Sequence, residues 1–294
     1  MNDHSSTTAL LDTEAPALLG SIHRLSDQDG AVAELRVDQR DPFFFDHPLD
    51  HVPGMLMVCG MVELARACVD TAPEGRVEAA MTFRSMCELD PAPVLSLDAR
   101  DTRRRKVRGY QDATVVADGW FEFTAADDLP ERECRVDASR WTKAPASLVH
   151  RARGENIMIG DPWQADGHVT AAVLQPPAGH ALDGRRPETH PVEGLVEAGR
   201  QFATWLPHRF GRWPLDAHML WIGVTVELPS GLPRSRPVAL RWRVAPIAGN
   251  KAKLHLDLVP ADGRGPVLGS LCYASKVLGP AEYARFRGNG GSAA

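Results

Sequence analysis

The chain has 294 residues, 44% of them apolar and 24% charged, with a formal net charge of -5; this is ordinary globular make-up, long enough for one large domain or two of about 150 residues. Acids outnumber Lys and Arg, and the one basic run, Arg103-Arg104-Arg105-Lys106, reads as a solvated hairpin turn, so nucleic-acid binding is not expected. No window approaches the roughly 18 uninterrupted apolar residues of a membrane helix, and the polar start MNDHSSTTALLDTEAPALLG lacks the regions of a secretory signal, so a cytoplasmic protein is expected.

After a polar tail over residues 1–18, the alternation of AVAELRVD predicts a strand. Pro53-Gly54 then opens the apolar stretch MLMVCGMVELARACVD, which predicts a helix from about Met55 to Asp70, stopped by Thr71-Ala72-Pro73. Three alternating stretches follow, VEAAMTFRSM, VLSLDAR and VRGYQDATVVADGWFEFTA, with a turn at Asp90-Pro91-Ala92-Pro93. The pattern then restarts with HVTAAVLQP. VEGLVEAGRQFATWL predicts a second helix from about Val192 to Leu206, opened by His190-Pro191 and closed by Pro207. HMLWIGVTVEL, VALRWRVAPI, KAKLHLDLVPA and PVLGSLCYASKVL follow as strands, parted by Pro229-Ser230-Gly231, Ala248-Gly249-Asn250 and Ala261-Asp262-Gly263. Residues 287–294 read as a second tail.

Both helices are apolar on more than one face, so each has to be buried nearly all round, which a sheet curled about it achieves. The order strand, helix, several strands occurs twice, with the helices about 140 residues apart. This predicts an α+β double hotdog, in which each repeat wraps an antiparallel sheet around one helix. The repeats are expected over residues 19–144 and 145–286, meeting near Ala144-Pro145-Ala146, with their sheets paired edge to edge. A monomer and a homodimer are both compatible with that arrangement. The five cysteines, Cys59, Cys68, Cys87, Cys134 and Cys272, are odd in number and lack CxxC spacing, which speaks for buried thiols over a disulfide framework or a zinc site. No metal and no cofactor is indicated, since GxGxxG after a strand, GxxxxGK[ST] and HExxH are all missing. Trp205, Trp213, Trp221 and Trp242 are expected in the core or lining a channel.

The most specific string is Asp46-His47-Pro48-Leu49-Asp50-His51-Val52-Pro53-Gly54-Met55. It resembles the DHPxDHxPGM motif of the A-factor biosynthesis family, whose members make γ-butyrolactone signalling precursors and consist of two hotdog repeats. Val149-His150-Arg151 with Glu155-Asn156-Ile157-Met158-Ile159 resembles that family's VHK and EVLL strand, and Leu195-Val196-Glu197-Ala198-Gly199-Arg200-Gln201 its LLxExxRQ helix. His208-Arg209-Phe210-Gly211, Pro214-Leu215 and His218-Met219-Leu220-Trp221 continue the likeness. Two departures stand out. The DHxPGM repeat comes first here and second in the family, and the family's Glu and Arg in that helix fall on Cys59 and Val62.

The resemblance implies an acyl thioester substrate, carried by an acyl carrier protein or coenzyme A. Pro53, Gly54 and Met55 would offer free backbone N–H groups at a helix start to the thioester carbonyl, with Asp46 and Asp50 beside them. The family likeness favours transfer of a β-ketoacyl group to a small hydroxylated phosphate such as dihydroxyacetone phosphate. Similar double-hotdog dehydratases pair a loop histidine with acid-xxx-Gln on the second helix. Here His47 or His51 would be the base, while Glu197 and Gln201 share one helix face. If burial raises the Glu197 pKa it can deliver a proton; alternatively Arg200 holds it ionised, or binds a phosphate. Cys59 occupies the place of a first-repeat acid, and Glu63, one turn on, is the counterpart of Gln201 and a candidate displaced acid. Three functions are compatible with these residues: an acyltransferase, a dehydratase or isomerase acting on a 3-hydroxyacyl thioester, and a non-catalytic acyl or carrier-protein binding protein.

Overall fold

The computed structural model describes residues 18–25, 30–68, 75–100, 103–125, 141–184 and 186–288; most of the expected N-terminal tail and Cys134 lie outside them. The first half holds β1 (His23–Leu25), β2 (Gly30–Glu34), α1 (Gly54–Ala67), β3 (Gly75–Phe83), β4 (Val94–Asp98), β5 (Arg105–Gln111) and β6 (Thr114–Ala125). The second half holds β7 (Trp163–Ala165), β8 (His168–Ala172), α2 (Val192–Phe210), β9 (His218–Pro229), β10 (Val238–Arg243), β11 (Lys251–Pro260), β12 (Gly269–Leu278) and α3 (Pro280–Gly288). All strands form one antiparallel 12-stranded sheet in the order β1-β2-β4-β5-β6-β3-β9-β12-β11-β10-β8-β7. Read outward from the β3–β9 seam, the two halves have the same order, so the sheet is two copies of one half joined edge to edge. The seam runs from Arg76 opposite Pro229 to Thr82 opposite Gly223. This is the α+β double hotdog.

The reason lies in the helices. Met55 to Met61 and Val62, Leu64 and Ala65 of α1 are all buried, as are Leu195, Val196, Ala198, Phe202, Ala203 and Leu206 of α2. Only a sheet curled around each helix removes so much apolar surface from water. Among the described residues no helix is long and apolar enough to cross a membrane.

Four local expectations differ from the structure. α1 ends at Ala67, short of the expected Asp70. α2 runs through Pro207 to Phe210. Proline removes one helical N–H bond and crowds the preceding turn, but packing holds this last turn: Phe210 lies 5.2 Å from the Trp242 ring and 6.3 Å from that of Trp205, and the Gly211 N–H returns to the Pro207 carbonyl at 2.8 Å. α3 was not expected, and its extent places Arg287 inside the fold and not in a tail. The basic run straddles the end of a turn and the start of β5, and Arg103 and Arg104 both pair with Glu122, whose side chain is only 2% exposed.

Candidate active site

The string that opens α1 is sewn to the other half of the molecule. Asp46 is buried, and its two carboxylate oxygens accept the N–H groups of Ala152 and Arg153, each at 2.9 Å. The Val52 N–H donates to the Cys87 carbonyl at 2.8 Å, which sets the entry into the helix. Leu56 and Met57 both bond back to the Pro53 carbonyl, at 3.0 and 3.3 Å. Gly54 and Met55 are the first residues of the helix, with no helical carbonyl one turn earlier to receive their amides, and both are left without an acceptor among the described residues. The first turn of α1 carries no acid, so the positive end of its dipole is not neutralised from within the helix. A Cβ on Gly54 would stand 2.9 Å from the Trp221 ring and 3.3 Å from that of Phe83; glycine is what lets these rings close over the helix start.

Behind this helix end lies a buried charge cluster on α2. Glu197 is 0% exposed and accepts bonds from Arg151 Nη2 at 2.6 Å, Arg200 Nε at 2.7 Å, Arg200 Nη2 at 2.8 Å and Gln201 Nε2 at 2.7 Å. Gln201 also accepts the Met158 N–H at 2.9 Å and donates to the Asn156 carbonyl at 2.7 Å, so it fixes the neighbouring strand-like segment and the carboxylate together. Arg151 is held in turn by the Phe43 carbonyl at 2.9 Å and lies 3.8 Å from Asp46. Burial alone pushes the Glu197 carboxyl up, but the Arg151 and Arg200 guanidiniums outweigh it and bring the pKa down to about 2. Of the two states the sequence left open, a Glu197 protonated by burial and one held ionised by Arg200, the charges favour the second, and Arg151, from the segment before β7, adds to the effect of Arg200.

A cavity of about 260 Å³ joins the helix end to this cluster. Of the residues expected in a site, His47, His51, Pro53, Gly54, Met55 and Arg200 line it. Its apolar walls include Leu49, Val52, Met57, Phe83, Met86 and Leu220. Desolvation, with the Arg151 charge, lowers the His47 pKa, keeping a proton-accepting imidazole on the wall. His51 bonds Asp50 through Nδ1 at 2.7 Å.

Several expected contact residues do not line this cavity. Asp46 is a dock for the 152–153 backbone. Asp50 ties down α3, accepting the Tyr283 hydroxyl at 2.9 Å and pairing with Arg287 at 3.1 Å. Glu197 and Gln201 act from behind Arg200. Cys59 is buried, and desolvation with the nearby Glu193 and Glu197 charges raises its thiol well above the ordinary value, which removes it as a nucleophile. Glu63 accepts the Leu18 N–H at 3.3 Å, on the far side of α1 from this chemistry.

Sequence reasoning gave no role to His150, Arg151, His218 or Tyr283, all of which line the cavity. The VHR string was the available signal for the first two. His150 has a left-handed backbone, φ 51, and its Nε2 meets His208 Nε2 at 2.9 Å, while His208 Nδ1 meets the Trp213 carbonyl at 2.9 Å. Tyr283, from α3, stacks on His218 with ring centroids 3.8 Å apart. Among the described residues no group of three or more His, Cys, Asp or Glu side chains is placed to hold a metal.

Two kinds of relative match. The 2-oxo-3-(phosphooxy)propyl 3-oxoalkanoate synthase of Streptomyces virginiae is 39% identical over 88 residues, 28% of this chain and 30% of that protein. The protein of the same name from Streptomyces griseus is 40% identical over 94 residues, 29% of this chain and 30% of its own length. The chain thus spans about 30% of the length of these relatives. Among solved structures, the dehydratase domain of RzxB from Pseudomonas fluorescens superposes with a TM-score of 0.60 at 16% identity, over 88% of this chain and 98% of that one. The dehydratase domain of a mycocerosic acid synthase-like polyketide synthase gives 0.61 at 17%, over 90% and 97%; at such identities the likeness is one of fold. The A-factor biosynthesis hotdog domain matches residues 12–86 and 133–258, one stretch in each half and together more than half of the chain, and the protein therefore belongs to the A-factor biosynthesis hotdog family.

Proposed function

We propose that this chain is an acyltransferase of specialised metabolism, working in the cytoplasm, that joins a β-ketoacyl thioester on an acyl carrier protein or coenzyme A to the hydroxyl of a small phosphate ester, giving a butenolide-type precursor. The observation that carries the reading is the state of Glu197. Held ionised by Arg151 and Arg200, it has no proton to give to a departing hydroxyl, which is the step a hotdog dehydratase needs from that position. The same arginines bring positive charge to the cavity wall, where a phosphorylated acceptor finds a partner. The name of the Streptomyces relatives, a 3-oxoalkanoate joined to a phosphooxypropyl group, fits this chemistry.

In the reaction, the acceptor hydroxyl oxygen attacks the thioester carbonyl carbon. His47 takes the hydroxyl proton, the Gly54 and Met55 N–H groups receive the oxyanion, and the C–O bond forms. The C–S bond then breaks, and the thiolate leaves with the proton that His47 returns. The acyl chain lies along the apolar wall. Four free thiols, Cys59, Cys68, Cys87 and Cys272, fit a reducing compartment.

The test is to mix the purified chain with 3-oxoacyl and 3-hydroxyacyl thioesters, with and without dihydroxyacetone phosphate, and follow products by mass spectrometry. An ester adduct with one free thiol per turnover, formed only when the acceptor is present, is expected. Loss of water from the 3-hydroxyacyl thioester without acceptor would replace the reading with dehydration, and thioester binding with no product would replace it with a binding protein. In the active protein, His47→Ala is expected to lower kcat by on the order of 100-fold while thioester binding persists.

A further inference from the structure

We propose that a small chamber behind Arg200, distinct from the main cavity, is the subsite for the acceptor's phosphate group; this rests on the acyltransferase reading above. The chamber measures about 60 Å³ against about 260 Å³ for the main cavity, and the two share His150, Arg200, Met219 and Trp221 as a common wall. It is too small for an acyl chain and takes a compact head group. Thr204, Tyr273 and Ser275 complete its polar lining.

The donors there are sorted by what they already bond. The Thr204 hydroxyl donates to the Arg200 carbonyl at 2.9 Å, and the Tyr273 hydroxyl donates to the Val196 carbonyl at 2.6 Å, so both shape the chamber. Arg200 spends Nε and Nη2 on Glu197, at 2.7 and 2.8 Å, which fixes the plane of its guanidinium. Its Nη1 and the Ser275 hydroxyl have no hydrogen-bond partner among the described residues. A held cationic N–H and a free hydroxyl are what a phosphate oxygen pair requires.

The sheet is locally reshaped at this place. β12 pairs with β9 in regular register until Ala274 opposite Gly223, then Ser275 falls opposite Trp221, leaving Ile222 as an extra residue. A bulge of one residue turns the strand beyond it to the other face. It carries the Trp221 ring to the helix side, beside Ser275 and over Gly54, where it walls both chambers.

His150 supplies a neutral partition. Burial, with the His208 and Arg200 charges nearby, brings its pKa down to about 4, and its Nε2 stands 2.9 Å from His208 Nε2. Arg200 is then the one cation among the described residues lining the chamber. A phosphate seated on Arg200 and Ser275 leaves the rest of the acceptor directed past these shared residues toward the main cavity.

The test is steady-state kinetics of the full chain with a 3-oxoacyl thioester and dihydroxyacetone phosphate, using Ser275→Ala, which removes the donor, and Ser275→Val, which also fills space. The expected result is an acceptor KM raised about fivefold by the first and more than tenfold by the second, with the thioester KM within twofold of wild type. Inorganic phosphate is expected to compete with the acceptor but not with the thioester, and to lose potency in Ser275→Val. Equal rises in both KM values, or an unchanged acceptor KM with undiminished phosphate inhibition, overturn the subsite while the acyltransferase stands. If no adduct forms with wild type, phosphate binding followed by ³¹P line broadening decides separately: binding lost in Ser275→Val keeps the subsite and drops the acyltransferase, and binding unaffected by it removes the subsite too.

Discussion

The two central helices start alike, at Pro53 and Pro191, and face opposite surroundings. α1 has no acid in its first turn, keeps two amides unbonded and opens onto the cavity. α2 carries Glu193 in its first turn, and this side chain is ion-paired with Arg66 from the last turn of α1. The loop before α2 packs onto its start: Leu182 is buried, and a Cβ on Gly184 would lie 2.8 Å from the Pro191 ring. In their middles the helices diverge again, with Cys59, Val62 and Glu63 standing where α2 has Glu197, Arg200 and Gln201. Duplication thus allows a division of labour. One copy leaves its dipole open toward the cavity, and the other gives up that opening and supplies the ionised cluster that faces it.

The largest expected effect tests the middles. Glu197→Gln leaves Arg151 and Arg200 without their buried counter-ion and is expected to destabilise by about 3–5 kcal/mol, whereas Cys59→Ala at the matching place costs about 1 kcal/mol; urea midpoints compare the two. Similar losses would mean that the cluster is not what separates the copies.

Acid is the next probe, because the second half hides two histidines. Burial brings His150 and His190 down to about 4, from an ordinary 6.5. The unfolded chain therefore binds these protons at a higher pH than the folded one. Stability is full above about pH 6.5 and falls as the pH drops toward 4, with about two protons taken up by this pair on unfolding in that window and a further uptake from His47 and His180, whose pKa values burial also lowers. A slope near zero between pH 6.5 and 4 would contradict the burial of this pair, and His190→Gln is expected to remove about one proton from it.

The smallest effect concerns the helix starts. Gly54→Ala pushes a methyl group against Trp221 at the open end, and kcat/KM is expected to fall about tenfold, ~1.4 kcal/mol. Val192→Ala at the closed end is expected to leave kcat/KM within twofold and to change the thermal midpoint alone.

Much of this architecture was legible from alternation and helix punctuation. The long strands, both central helices and the doubled order follow from patterns that local sequence carries. β1 and β7 are three-residue edge strands, too short for a period to register, and α3 lacks an apolar stripe, since Tyr283 is its one buried side chain. The site was legible where a local string encodes it, as at His47, Gly54 and Met55. The ionisation of Glu197 was legible only as one of two alternatives, because it draws on Arg151, 46 residues away, as well as on Arg200 to overcome desolvation. The His150–His208 contact spans 58 residues and was hidden for the same reason.

The two hydrogen bonds by which Asp46 grips the backbone of Ala152 and Arg153 have a consequence for the order of the halves. Neither half carries all of the cavity wall: His47 to Met55 come from the first, and His150, Arg151 and Arg200 from the second. Once both are present and meet at the seam, which is translated first has no bearing on which faces which.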